Sequence, residues 1–244
     1  MSLFAHQHAH QGVNIVLVHG AWADGSSWSS VIERLQKEGN TITAVQMALT
    51  SFADDVAQVR RVLSAQSGPT ILVAHSYGGA VITALGKDAP NVVGLVYVAA
   101  FVPDQGESLK GLITGGPQPA GGAAFRPDEW GLIWLDREGF SQYFAPDVNQ
   151  AQARVLAAVQ KPIAASTLLT EDTFGEPVWK TLPAWYLVTE QDQMIPPDAQ
   201  RFMAQRAGAT VASIASSHVP MISHSNTVAD LILNVAKAIE PAAK

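Results

Sequence analysis

The chain contains no cysteine. That excludes disulfide staples, a thiol nucleophile and thiolate-held metals, and it leaves the redox compartment open. Clusters of lysine and arginine are also missing, and the net charge is -6. With no basic stripe to neutralise phosphates, nucleic acid is not expected as a partner. A membrane-surface role has no electrostatic basis either. No apolar run approaches the eighteen or so residues of a membrane span, and the first dozen residues do not form a signal peptide. A cytoplasmic protein is expected, with secretion by way of a removed signal kept open. P-loop, dinucleotide and HExxH patterns are all absent, so neither a cofactor nor a metal is invoked.

What is present describes a globular chain. Its 244 residues are 48% hydrophobic and 15% charged, enough for a large core in one domain or one domain with a sizeable insertion. His6, His8 and His10 alternate near the start. Residues 1–12 read as a flexible terminus or cloning remnant rather than a metal-binding tract.

Val13 to His19 is a short, almost continuous apolar run, the pattern of a strand buried on both faces. It ends in a His19-Gly20-Ala21-Trp22 turn. Asp24 or Ser26 then caps a helix running to about Glu38. Thr41 to Met47 is a second strand candidate. Between Ser51 and Ala65, Phe52, Val56, Val59 and Leu63 recur at helical spacing with charged residues between them. Strands at Thr70 to His75 and Val92 to Phe101 flank a helix from Gly78 to about Lys87. This alternation predicts an α/β fold, a mainly parallel sheet with helices on both faces and ligands at the carboxyl ends of the strands.

The alternation stops after Phe101. Residues 103–183 read as an inserted helical lid, with a helix over Val148 to Gln160. Phe125, Trp130, Ile133, Trp134, Phe140, Tyr143, Phe144 and Trp179 line a pocket there or form the insertion's own small core. The order then resumes with a strand at Ala184 to Thr189, a helix at about Pro197 to Arg206 and a strand at Ala209 to Ile214. An amphipathic helix at about Asn226 to Ile239 closes the chain. The α/β core thus spans 13–102 and 184–244.

The chemistry is concentrated at Ile71 to Val81, I-L-V-A-H-S-Y-G-G-A-V. A strand, a tight turn and a helix start meet at Ser76, the arrangement of a nucleophile elbow, G-x-S-x-G. The positions two before and two after the serine must be small, and here they are Ala74 and Gly78. A serine hydroxyl needs a base, and an imidazole suits because its ordinary pKa lies near 6.5. A carboxylate must hold that imidazole in the right tautomer. Asp192 and His218 lie just beyond strand ends, in the order Ser, Asp, His that belongs to this elbow. Asp104 is the rival acid and His224 the rival base. His75 points away from the serine as a packed or hydrogen-bonded histidine, and His19 braces its turn. The backbone N–H groups of Tyr77 and Ala21 are the expected oxyanion donors.

V-L-V-H-G-A-W, A-H-S-Y-G-G, L-V-T-E-Q-D-Q-M-I-P and S-S-H-V-P-M-I-S-H together resemble the α/β-hydrolase superfamily. Within it they are similar to the branch of plant methylesterases, hydroxynitrile lyases and bacterial carboxylesterases, including pyrethroid-hydrolysing ones. The resemblance implies a triad of Ser76, Asp192 and His218, an oxyanion hole from Ala21 and Tyr77, and a pocket lined by Trp22, Trp28, Phe101, Trp130 and Trp134. It implies hydrolysis of a small apolar or aromatic ester, with homodimerisation left open. Val219 follows His218 where the lyases carry lysine, and Gly20 stands where they carry threonine, so hydrolysis is the better reading. The alternatives are a lyase or a cofactor-free oxygenase on the same site, or a non-catalytic receptor for a small ligand.

Overall fold

The computed structural model describes residues 13–87, 89 and 91–239. The histidine tract at 6–10 lies outside them. In chain order the main elements begin with β1 (Asn14–Val18), α1 (Ser29–Lys37), β2 (Thr41–Ala44), α2 (Phe52–Ser64), β3 (Thr70–His75), α3 (Tyr77–Thr83) and β4 (Val92–Val98). The segment that follows holds α4 (Leu109–Thr114), β5 (Phe125–Pro127), β6 (Leu132–Leu135), α5 (Arg137–Gly139), α6 (Gln150–Val159), β7 (Ile163–Ala164) and α7 (Ala165–Leu168). The chain then returns through β8 (Ala184–Thr189), α8 (Pro197–Arg206), β9 (Thr210–Ile214), α9 (Pro220–Ser223) and α10 (Ser225–Ile239).

Six strands form one sheet in the order β2-β1-β3-β4-β8-β9, with every pairing parallel. Parallel strands require crossovers, which here bring α1 against α10 and α2 against α3. All six residues of β3 are buried, so the centre of the sheet is covered on both faces. That is why its sequence is a continuous apolar run rather than an alternating one. Local signals set the helix starts. The Ser51 hydroxyl accepts from the Asp54 N–H, and Asp54 and Asp55 occupy the positive first turn of α2. The Asp24 carboxylate accepts from the Ser26 N–H to start a 3-10 turn over Gly25–Trp28, which leads into α1.

Two strands end earlier than the apolar runs suggest, for visible reasons. β2 stops at Ala44, and the Met47 N–H donates to His19 Nε2 instead of to the ladder. β4 stops at Val98 because Ala99 turns the chain with φ +45°. Beyond it the Ala100 N–H meets the Tyr186 hydroxyl, and the Phe101 N–H meets the Ser76 carbonyl. The segment between β4 and β8 carries helices as expected and, in addition, a three-stranded antiparallel sheet in the order β5-β6-β7. No helix among the described residues is long and apolar enough to cross a membrane.

Candidate active site

β3 delivers Ser76 to the carboxyl edge of the sheet with φ +53° and ψ -125°. A side chain rarely adopts this left-handed geometry, and the surroundings must enforce it. They do so by close approach. A Cβ on Gly78 would come within 2.6 Å of the His19 carbonyl, so only glycine lets α3 start there. On the other side of the serine, a Cβ on Gly20 would stand 2.8 Å from Ser76 Cβ. The first turn of the chain is thus pressed directly against the elbow.

His218 follows β9 and is fully buried. Ser76 Oγ donates to its Nε2 over 2.8 Å, and its Nδ1 donates to Asp192 Oδ2 over 2.8 Å. A carboxylate only accepts, so the proton sits on Nδ1 and Nε2 is left with a lone pair facing the hydroxyl. Asp192 is itself pinned. Its Oδ1 accepts the N–H groups of Met194 and Ile195, and its Oδ2 also accepts from the Thr189 hydroxyl and Gln200 Nε2. These donors compensate the burial of the carboxylate and fix the plane in which the imidazole must lie.

His75 Nε2 donates to the His218 carbonyl over 2.7 Å, and the two rings lie 4.7 Å apart. Burial, then the neighbouring His218, pushes the His75 pKa well below its ordinary value. A neutral ring therefore lies beside the imidazole, and no second cation opposes a charge forming there. His19 donates from Nδ1 to the Gly20 carbonyl and accepts from Met47 N–H, bracing the turn as expected. Burial lowers its pKa to about 4.

A cavity of about 60 Å3 opens over the serine, lined by Ala21, Trp22, Ser76, Tyr77, Phe101 and His218 together with the intervening segment's Phe125 and Leu168. Ala21 and Tyr77 therefore flank Ser76 at the cavity wall. The Tyr77 hydroxyl donates to Asp55 Oδ2 over 2.8 Å, and Asp55 Oδ1 accepts from the Leu49 N–H. Burial, the larger influence, raises the Asp55 carboxyl above its usual range despite these donors.

A family model described as "Alpha/beta hydrolase family" matches residues 15–231. The chain belongs to the α/β-hydrolase family. The "Carbendazim hydrolyzing esterase" of Nocardioides sp. (strain SG-4G) is 36% identical over 125 residues, 46% of this chain and 52% of that one. The chain thus spans about half the length of that relative. "Methylesterase 2" of Arabidopsis thaliana is 23% identical over 255 residues, covering 91% of this chain and 95% of its own. Among solved structures, the pyrethroid hydrolase PytH superposes with a TM-score of 0.82 at 22% identity, over 93% of this chain and 98% of that one. At that identity the likeness carries the fold.

Three of the expected pocket residues of this α/β hydrolase lie elsewhere. Trp28 ends the 3-10 turn before α1 and is wholly inside the core. Trp130 is 80% exposed. It sits at the tip of the β5–β6 hairpin, where Asp128 Oδ1 accepts the N–H groups of both Trp130 and Leu132. Trp134 is on the outward side of β6, since strand alternation buries Ile133 and Leu135 and turns Trp134 to solvent. Its indole donates to Asp128 Oδ2. Trp22 does face the cavity, and its Nε1 donates to the Ile133 carbonyl, tying the first turn to β6. The rivals are engaged with other partners and do not line the cavity over the serine. Asp104 pairs with Lys180 at 2.9 Å, and His224 Nδ1 meets the Ser223 hydroxyl at 2.9 Å.

Sequence reasoning missed Thr189, Gln200 and Asp147. Asp147 Oδ2 accepts from the Ser216 hydroxyl and the Ser217 N–H, and its Oδ1 from the Ser217 hydroxyl. It thereby holds the two residues that precede His218. The acid's position after β8 pointed toward Thr189, the last residue of that strand. Nothing local marks Gln200 or Asp147.

Proposed function

We propose that the protein is a serine carboxylesterase acting through an acyl-enzyme, with Ser76 as nucleophile, His218 as general base and acid, and Asp192 as the group that orients and stabilises the imidazole. The observation that carries this is the unbroken relay from Ser76 Oγ through His218 to Asp192, two contacts of 2.8 Å each, mounted on a left-handed serine. Ser76 Oγ attacks the ester carbonyl as His218 Nε2 takes its proton. The N–H groups of Ala21 and Tyr77 stabilise the oxyanion, each worth about 10²–10³ in rate. The C–O bond then breaks, and His218 returns the proton to the leaving alcohol. Water, deprotonated by the same Nε2, releases the acid and regenerates the serine.

The esterases among its relatives favour this reading, as does the absence of room at Gly20. A threonine in its place would drive its Cβ into Ser76 Cβ and His75 Nδ1, which argues against the lyase variant. The cavity over the serine is mostly apolar, which suits a neutral ester. Ser76→Ala is expected to abolish hydrolysis of a short-chain aryl ester and labelling by a fluorophosphonate. Retention of either by the variant refutes the assignment.

A further inference from the structure

The space over Ser76 amounts to about 60 Å3. It is much the smaller of two adjoining spaces, so the bulkier group of an ester has its room elsewhere. A second, open trough of about 460 Å3 adjoins it. Phe101, Ile113, Pro119, Met194 and Ile195 line both spaces. The trough runs between the start of the intervening segment, at Leu112 and Pro117, and the exposed side of α8, at Ala199 and Phe202. Its size lies within the range of sites that hold whole small molecules.

The chemistry of the trough is one-sided. Phe202 lines it and is 60% exposed, with the Arg206 guanidinium 5.2 Å from its ring centroid. Among the described residues, Asp198 is the one ionisable residue lining it; its side chain is 99% exposed and pairs with Arg201 at 3.0 Å. No lysine or arginine among the described residues lines the trough to receive a second carboxylate. The neck is adaptable, since Met194 is unbranched and soft. Its sulfur occupies space that only a glycine at 121 leaves free, because a Cβ there would lie 2.3 Å away.

We infer that this trough is the specificity subsite. The substrate carries a small group on one side of the ester, held over Ser76, and an extended, neutral, apolar group on the other, laid along Phe202, Ala199 and Leu112. This rests on the esterase reading and deepens it. Each buried methylene is worth about 0.8 kcal/mol, or about fourfold, so a chain lengthened within the trough gains steeply in kcat/KM.

Two homologous series decide it, followed by proton release: methyl esters of butanoic, hexanoic and octanoic acids, and the butyl, hexyl and octyl acetates. In one series kcat/KM is expected to rise at least tenfold from four to eight carbons; which series rises tells whether the acyl or the alkoxy group lies in the trough. Phe202→Asp and Ala199→Lys place opposite charges at exposed positions on α8, where folding is least affected. Both are expected to cut the eight-to-four-carbon ratio at least fivefold, because a neutral chain loses contact with either charge. A flat response in both series, or a ratio unchanged in both variants, overturns the inference while Ser76-dependent turnover of methyl butanoate stands. Turnover that survives Ser76→Ala refutes the esterase reading itself, and the inference falls with it.

Discussion

Removing the Asp147 carboxylate tests how His218, the proposed base, is held in place. Asp147 lies in the segment between β4 and β8, yet its three close partners belong to Ser216 and Ser217, directly before His218. In Asp147→Ala the Ser216 hydroxyl keeps the Ser223 hydroxyl at 3.2 Å as a partner. Ser217 fares worse. Its buried N–H loses its acceptor, and its hydroxyl retains only the Phe144 carbonyl at 3.5 Å. Leaving a buried donor unsatisfied costs about 1–3 kcal/mol, so the lost N–H partner alone predicts a destabilisation of that size, and the weakened hydroxyl adds to it. Asp147→Asn replaces one oxygen with an amide that donates to the Ser217 hydroxyl while the other still accepts. It loses the charge assistance alone, about 1 kcal/mol. Because a displacement of about 1 Å at a catalytic group costs on the order of 10²-fold, kcat is expected to fall about 10–100-fold in the alanine variant and to recover in the asparagine one. Urea unfolding and steady-state kinetics on both variants measure this. The pH dependence adds a check. Burial pushes the Asp147 carboxyl up, but the hydrogen bonds from Ser217, Ser223 and Ser216 outweigh it and hold the group below its usual value. A carboxyl lowered by folding stabilises above its unfolded pKa, and that stability is lost as pH falls through the folded value. Asp147→Asn should lack this acid loss. An alanine variant within about 0.5 kcal/mol and twofold of the parent would refute the reasoning, because ordinary surface substitutions lie in that range.

Further predictions concern the supports of the elbow. Tyr77→Phe deprives the buried Asp55 carboxylate of its side-chain donor, and hydrogen bonds to charged groups are worth about 1.5–3 kcal/mol. Urea unfolding should show a loss of that size, and no loss would refute the role given to the pair. His19 is held neutral by burial, which lowers its pKa from 6.5 to about 4, with Lys161 lowering it further and Asp24 opposing. The unfolded chain therefore binds more protons between these values, so stability falls as pH drops from about 6.5 to 4, by about 3 kcal/mol in all. His19→Gln should unfold less steeply with acid than the parent; equal acid sensitivity by urea titration at pH 7.5 and 4.5 would speak against it.

The fold was legible where one residue pattern admits one physical solution. A strand buried on both faces has to be a continuous apolar run, and β3 and β8 occupy the spans their runs predict. The elbow was legible because Ser76, Gly78 and Gly20 satisfy a steric condition that few other residues meet. Aromatic side chains carry no such condition. A tryptophan suits a core, a cavity wall or a hairpin tip, and Trp28, Trp22 and Trp130 occupy one of each. An aspartate-held turn at Asp128 places Trp130 and the strand parity of β6 places Trp134, and neither shows in composition.

Support for the proposed triad was the least legible part, because it is long-range and made by common residues. Gln200 reaches Asp192 from the neighbouring helix, and Asp147 reaches Ser217 across 70 positions. Their placement joins two problems that look separate in sequence. The segment that contributes Phe125 and Leu168 to the cavity also supplies the carboxylate that anchors the chain before His218. Trp22 makes a parallel tie at the other wall, where its indole meets the Ile133 carbonyl beside the turn that holds Ala21. The intervening segment is therefore not a passive cover. By these two links it bears on both the Ala21 side and the His218 side of Ser76, so exchanging it to alter the cavity also changes how these groups are held.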